Sequence, residues 1–203
     1  RKVVFSMWIK GLDRANLDRN IDAFLTAIGN PGLHTLVRTL RSGETRMAQA
    51  ELCSEIHFVR KNPGYAKFAL ELELPDPFFY GTEKTADVRT ASTSPFIWTH
   101  TNDGSAPATD LVITLEGPLS NPVLRNRNND VWIQYVGTIP DGKSVILDTK
   151  HFTCLQGADN MISIVKHGGD AYWMILDAGD NSMKLETDVV GGKITLSYYP
   201  TFF

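Results

Sequence analysis

The opening residues Lys2-Val-Val-Phe-Ser-Met-Trp-Ile-Lys10 place Val3, Phe5, Met7 and Ile9 on one side of an extended chain and Trp8 on the other. A period of two predicts a strand over 2–10, apolar on both faces. The period then changes. Leu17, Ile21, Phe24, Leu25 and Ile28 recur at helical spacing, which predicts a helix over 13–28 with these five as its buried stripe. Asp13 or Asn16 can accept the free amides of its first turn. Gly29, Asn30 and Pro31 end it, with Gly29 expected as a left-handed cap. Strands are expected over 33–41, 47–59 and 65–74, separated by Ser42-Gly-Glu44 and Asn62-Pro-Gly64. Glu51, Ser54 and Arg60 interrupt the apolar residues of the second, as in a sheet wet on one side. The two prolines of Leu74-Pro-Asp-Pro-Phe-Phe-Tyr-Gly81 close the unit.

Residues 82–95 are polar and rich in Thr and Ser, and read as a linker or an edge strand. From Phe96 on, turns recur about every 8–12 residues, the rhythm of a β-sandwich. Pro140-Asp-Gly142 suits a tight turn, and Gly191-Gly192 is expected to lead the final strand in as a hairpin. In that strand Ile194, Leu196 and Tyr198 alternate with Lys193, Thr195 and Ser197, and Phe202-Phe203 is expected to cap the core. The pattern predicts a mainly β chain: an N-terminal β-sandwich-like domain with one α-helix over 1–81, a connection over 82–95, and a C-terminal β-sandwich over 96–203. One helix covers one face of the first sheet. The other face is then expected to meet either a segment preceding Arg1 or a neighbouring subunit.

Composition narrows the function. A net charge of −3 and a pI of 5.9 give no basic footprint for nucleic acid or for an anionic membrane. No apolar run approaches the roughly 18–20 residues that span a bilayer. Cys53 and Cys154 sit beside apolar residues, so buried free thiols are the expectation.

Candidate chemistry is sparse. His34, His57, His100, His151 and His167 offer no i, i+2 or i, i+4 ligand pair, and His34 and His57 fall in expected strands. Asp76, Asp110, Asp130, Asp148 and Asp177 stand at strand edges or turns, where Asp usually serves the backbone. The oxygen-rich turns 126–130 and 177–181 lack the spaced ligands of a calcium loop. Trp98, Trp132, Tyr172 and Trp173 could form a sugar-stacking platform, although strand aromatics more often build cores. No catalytic, cofactor-binding or metal residue is assigned, and no cofactor is expected. A β protein without a convergent polar cluster reads as a binding or assembly part.

Five stretches in order carry a resemblance. Leu74-Pro-Asp-Pro-Phe-Phe-Tyr80 is followed by Asn102-Asp-Gly-Ser-Ala-Pro-Ala-Thr109 and by Leu111-Val-Ile-Thr-Leu-Glu-Gly-Pro-Leu-Ser-Asn-Pro122. Then come Leu176, Gly179, Asn181 and Met183, and finally Gly192-Lys-Ile-Thr-Leu-Ser-Tyr-Tyr199. Together they resemble the distal tail proteins of long-tailed bacteriophages. Thr109-Asp110 and Ala178 depart from it, standing where that family often has proline. The resemblance implies a structural, non-enzymatic virion protein of the tail tip, made in the host cytoplasm. It would form a ring, commonly a hexamer, through its first domain, joining tail tube to baseplate. Its second, galectin-like domain would hold fibres or receptor-binding proteins, beside a tail hub, with at most a weak glycan contact. The rival reading is a carbohydrate-binding module of a larger cell-wall-acting protein.

Overall fold

The computed structural model describes residues 1–169 and 173–203, which divide into two compact units, Arg1–Phe79 and Tyr80–Phe203. The chain is mainly β, with one α-helix among the described residues.

The first unit runs β1 (Lys2–Lys10), α1 (Arg14–Ile28), β2 (His34–Thr39), β3 (Thr45–Leu52), β4 (Val59–Asn62) and β5 (Tyr65–Glu73). β5 pairs with β1 along its whole length, and with β4 and β3 at its two ends. β2 folds back on β3 in antiparallel register. That register sets two faces. Val3, Phe5, Met7 and Ile9 lie opposite Leu72, Leu70, Phe68 and Ala66, and this face receives the helix. Val4 and Trp8 lie opposite Glu71 and Lys67 on the other face.

The helix starts where two side chains clamp the backbone reciprocally. Asp13 accepts from the Asn16 amide at 2.8 Å, and Asn16 Oδ1 accepts from the Leu12 amide at 3.1 Å. Gly11 precedes this clamp because a Cβ there would stand 2.4 Å from the Leu17 nitrogen. Leu17 and Ile21 are buried against Ala66, Ile9 and Phe58. The Phe24 ring sits 4.9 Å from Phe68 and 6.4 Å from Phe58.

Four expectations for this unit are corrected. Leu25 is 39% exposed, because the sheet contacts the row Leu17–Ile21–Phe24 and Leu25 lies about 100° round the helix from Phe24. Gly29 is right-handed at φ −77°, its amide still bonded to Leu25 O, and the left-handed residue is Gly32. The strand expected over 47–59 is two strands, since β3 ends at Leu52 and the Cys53 amide turns to Glu71 O. His57 consequently lies outside any strand and is exposed.

The second unit runs from β6 (Phe79–Gly81), which spans the unit boundary, through β7 (Thr85–Thr90), β8 (Phe96–Asn102), β9 (Val112–Glu116), β10 (Leu119–Ser120) and β11 (Val123–Asn126). It continues with β12 (Trp132–Tyr135), β13 (Thr138–Ile139), β14 (Ser144–Asp148), β15 (Thr153–Gln156) and β16 (Asp159–Asn160). Last come β17 (Val165–Gly168), β18 (Gly179–Glu186), β19 (Lys193–Tyr198) and β20 (Thr201–Phe202). One sheet has the order β17-β12-β11-β18-β8, the other β16-β15-β14-β9-β19-β7, and β10 pairs with β13 apart from both. Alternate residues of both sheets, among them Leu124, Ile133, Leu185, Ile113, Leu147 and Leu196, enclose one core. That is a β-sandwich.

Gly191-Gly192 does not make a hairpin. β18 is already flanked by β11 and β8, so the chain must cross to the other sheet before β19. Gly192 permits the crossing, since a Cβ there would stand 2.3 Å from Glu116 O. The stretch 82–95 contributes β7 to the edge of the six-stranded sheet and places Ala91 in the core. At the end of the chain Phe202 is buried, but Phe203 is 63% exposed, so the two are not buried as a pair.

Two outcomes follow. Leu17→Ala should destabilise the first unit by about 2–5 kcal/mol in urea unfolding, and Leu25→Asp by only about 0.5 kcal/mol. A fragment starting at Tyr80 should give dispersed amide spectra. One starting at Phe96 should give broad, collapsed spectra, because it lacks β7 and Ala91.

Candidate functional site

Where inward-facing positions of a sandwich are polar, they must find partners. The inward row of β8 reads Trp98, His100, Asn102, and all three are buried. Asp87 on β7 accepts from Trp98 Nε1 at 3.1 Å and bonds His100 Nδ1 at 2.9 Å through one oxygen. Its other oxygen pairs with Arg89 Nε at 2.7 Å. His100 Nε2 lies 2.9 Å from the Tyr198 hydroxyl. A carboxylate only accepts, so Nδ1 donates to Asp87, and in a neutral imidazole Nε2 then accepts from the phenol. The order carboxylate–imidazole–hydroxyl has the form of a proton relay. However, His100 is 4% and Tyr198 1% exposed, and burial, with Asp103 and Asp87 nearby, pushes the phenol up to about 12. The group ties together the edge strands β7 and β8, which belong to different sheets. Such a tie holds the fold and reaches no substrate.

The two oxygen-rich turns do come together, through amides. Asn126 Nδ2 donates to Ile175 O at 3.0 Å and to Asn181 Oδ1 at 2.8 Å. Asn181 Nδ2 in turn serves the carbonyls of Asp177 and Gly179, both at 2.9 Å. Asn129 Nδ2 bonds the Asp177 carboxylate at 3.0 Å. The Ile175, Asp177 and Gly179 carbonyls and one Asp177 carboxylate oxygen are thus engaged by side-chain amides. Among the described residues no three His, Cys, Asp or Glu side chains are grouped to hold a metal ion.

The candidate aromatics among the described residues, Trp98, Trp132 and Trp173, form no platform. Trp98 and Trp173 are in the core, and Trp132 lies beneath Gly168, where a Cβ would meet its indole at 2.5 Å. Tyr172 and Asp170 lie outside the described residues. His167 packs its ring on Trp173, as does the half-exposed Phe152. His34 bonds Asn30 O at 2.9 Å. His151 pairs with Asp148 at 2.8 Å; burial alone would raise that carboxyl, but the hydrogen bonds from His151 hold it below its ordinary value. Asp76 accepts from the Phe78 amide, and Asp110 and Asp130 pair with Lys150 and Arg125. Cys53 is a half-buried free thiol, and burial pushes the Cys154 thiol up to about 11. A polar cleft of about 370 Å³ lies beside Glu116, Asp141, Lys143 and Lys193, with both signs of charge on its wall.

Both units expose large apolar side chains, and on the first several lie on its sheet. Val4, Trp8 and Val59 are each more than half exposed, and Leu12 is 97% exposed. The register places Trp8, Lys67 and Val59 in one row across β1, β5 and β4. On the helix face, a groove of about 110 Å³ runs between Ile28, Leu36, Leu52, Leu70 and Leu72. The first sheet thus leaves apolar side chains exposed on one face and half-buried on the other.

No protein-family model matches the chain, and no curated protein does. By structure it is similar to the Dit protein of phage SPP1, whose crystal structure is described as a paradigm of the hub adsorption apparatus in phages infecting Gram-positive bacteria. The two share 12% identity at a TM-score of 0.67, over 98% of this chain and 78% of that one. At that identity the likeness is one of fold: this chain has a Dit-like fold along nearly its whole length.

The buried phenol makes an alkaline prediction. A folded-state value near 12, against an ordinary 10.0, means that Tyr198 contributes its stability fully below pH 10. That contribution, roughly 2–3 kcal/mol, is lost as pH rises through about 12. Tyr198→Phe should cost about 1–3 kcal/mol at neutral pH, by leaving His100 without its partner, and should flatten that alkaline loss. Urea unfolding from pH 8 to 12 reads both effects. An unchanged slope would assign the loss to other groups.

Proposed function

We propose that the protein is a structural component of a phage tail tip, acting by assembly and not as an enzyme. One observation carries the proposal: the Dit-like fold extends over 98% of the chain, both units included. In this reading identical chains close into a ring, hexameric as the resemblance implies, that joins the tail tube to the baseplate. The first domain, over 1–81, makes the ring, and its exposed Trp8 and Val4 are covered there. The second, galectin-like domain meets the hub and the fibre or receptor-binding proteins. Closed rings of identical subunits need heterologous contacts, in which two different surfaces of one chain meet. A sheet that is apolar on both faces supplies two such surfaces.

The glycan-binding reading has less support, since two of its candidate tryptophans are core residues. Mass photometry and negative-stain micrographs of the purified protein test the proposal. Closed rings are expected. Trp8→Glu should release monomers, whereas deleting Thr201–Phe203 should lower the second unit's stability and leave rings intact. A monomer that binds glycans would reverse the assignment.

A further inference from the structure

The first sheet carries two cross-strand pairs of like charge, a placement that costs stability in an isolated sheet. Arg38 stands directly opposite Arg46 near the tip of the β2–β3 hairpin, and Glu51 stands directly opposite Glu73 at the other end of β3. Arg41 lies in the turn at the hairpin tip. Glu44 pairs with Arg46 at 2.9 Å, leaving the tip with two net positive charges among Arg38, Arg41, Arg46 and Glu44. Glu71 neighbours the acidic pair and Lys2 stands opposite Glu73, so these four side chains carry two net negative charges, with Arg1 nearby at Leu74 and Pro77.

The two clusters lie on opposite faces. Arg38 and Arg46 follow the parity of Leu36, Ala48 and Ala50, which places them on the helix face beside the apolar groove. Glu51, Glu71 and Glu73 follow the parity of Val4 and Trp8 on the other face. Each face therefore presents an apolar strip flanked by charge, and the signs are opposite. Arg38, Glu51 and Glu73 are exposed, so no described residue covers them.

We propose that a second copy of this chain covers the groove, head to tail. The Val4–Glu71–Glu73 face of one copy packs on the Leu36–Leu52–Leu72 groove of the next, and its glutamates meet Arg38 and Arg41. This deepens the ring reading and rests on it. It names which surfaces meet and why they do not meet in register with themselves, since like faces would oppose like charges. Because the contact is partly ionic, assembly weakens with salt.

Charge reversal tests it on exposed side chains that leave the core untouched. R38E/R41E gives a chain acidic on both faces, and E51K/E73K gives one basic on both faces. Each should be monomeric at concentrations where the unmodified chain assembles, by mass photometry at low salt. The quadruple variant restores opposite signs with the polarity inverted, and should assemble within about tenfold of the original concentration range. If both double variants assemble like the original chain, the face assignment is overturned and the ring reading stands. If both are monomeric and the quadruple variant is too, the two clusters do not meet each other. If the unmodified chain is monomeric at every salt concentration, it is the ring reading that falls.

Discussion

Closing the end of a two-sheet sandwich buries backbone carbonyls that no ladder can pair, and this is the constraint on which the second unit depends. Each such group must be satisfied or it costs the fold dearly. Here three asparagines do the work. Asn126, Asn181 and Asn102 are essentially inaccessible, and their amides serve carbonyls of the segment Ile175–Gly179. That segment is the one that must leave the core and enter β18. Every buried side-chain polar atom among the described residues has a partner, so the closed end is not a reservoir of unmet bonds. The polar residues that look most like chemistry are thus engaged in architecture.

The first unit has a different limitation. A sheet buries its apolar residues only where something lies over them, and a single helix of fifteen residues covers only part of one face. Leu17, Ile21 and Phe24 seal the sheet around Ala66 and Phe68, while Leu70 and Leu72 beyond the helix stay half-buried. The unit is well formed and incompletely covered at once.

The sequence made the second unit's inward rows legible, because alternation at Ile194, Leu196 and Tyr198 needs no knowledge of partners. It also revealed the helix, whose stripe was one residue too wide at Leu25. It could not reveal that Gly191-Gly192 crosses between sheets, since a glycine pair marks a turn but not which strand edge is already occupied. Nor could it bring Asp87, His100 and Tyr198 together, since they are brought together by sandwich closure and not by spacing. A polar residue at an inward position of an alternating strand was the available signal, and His100 and Asn102 both carry it. The opposed like charges of Arg38 and Arg46, or of Glu51 and Glu73, exist only once register is known.

An edge strand ordinarily gives way under load like a zipper, one ladder bond after another. β7 is such an edge and is the first strand wholly inside the second unit, so tension entering from the N-terminal side reaches it early. Yet Asp87 rivets its midpoint to Trp98 and His100 on the opposite sheet, and through His100 to Tyr198. Peeling β7 therefore requires breaking a buried hydrogen-bonded knot together with the ladder. The weakest seam of the sandwich is thereby turned into one that fails all at once or holds.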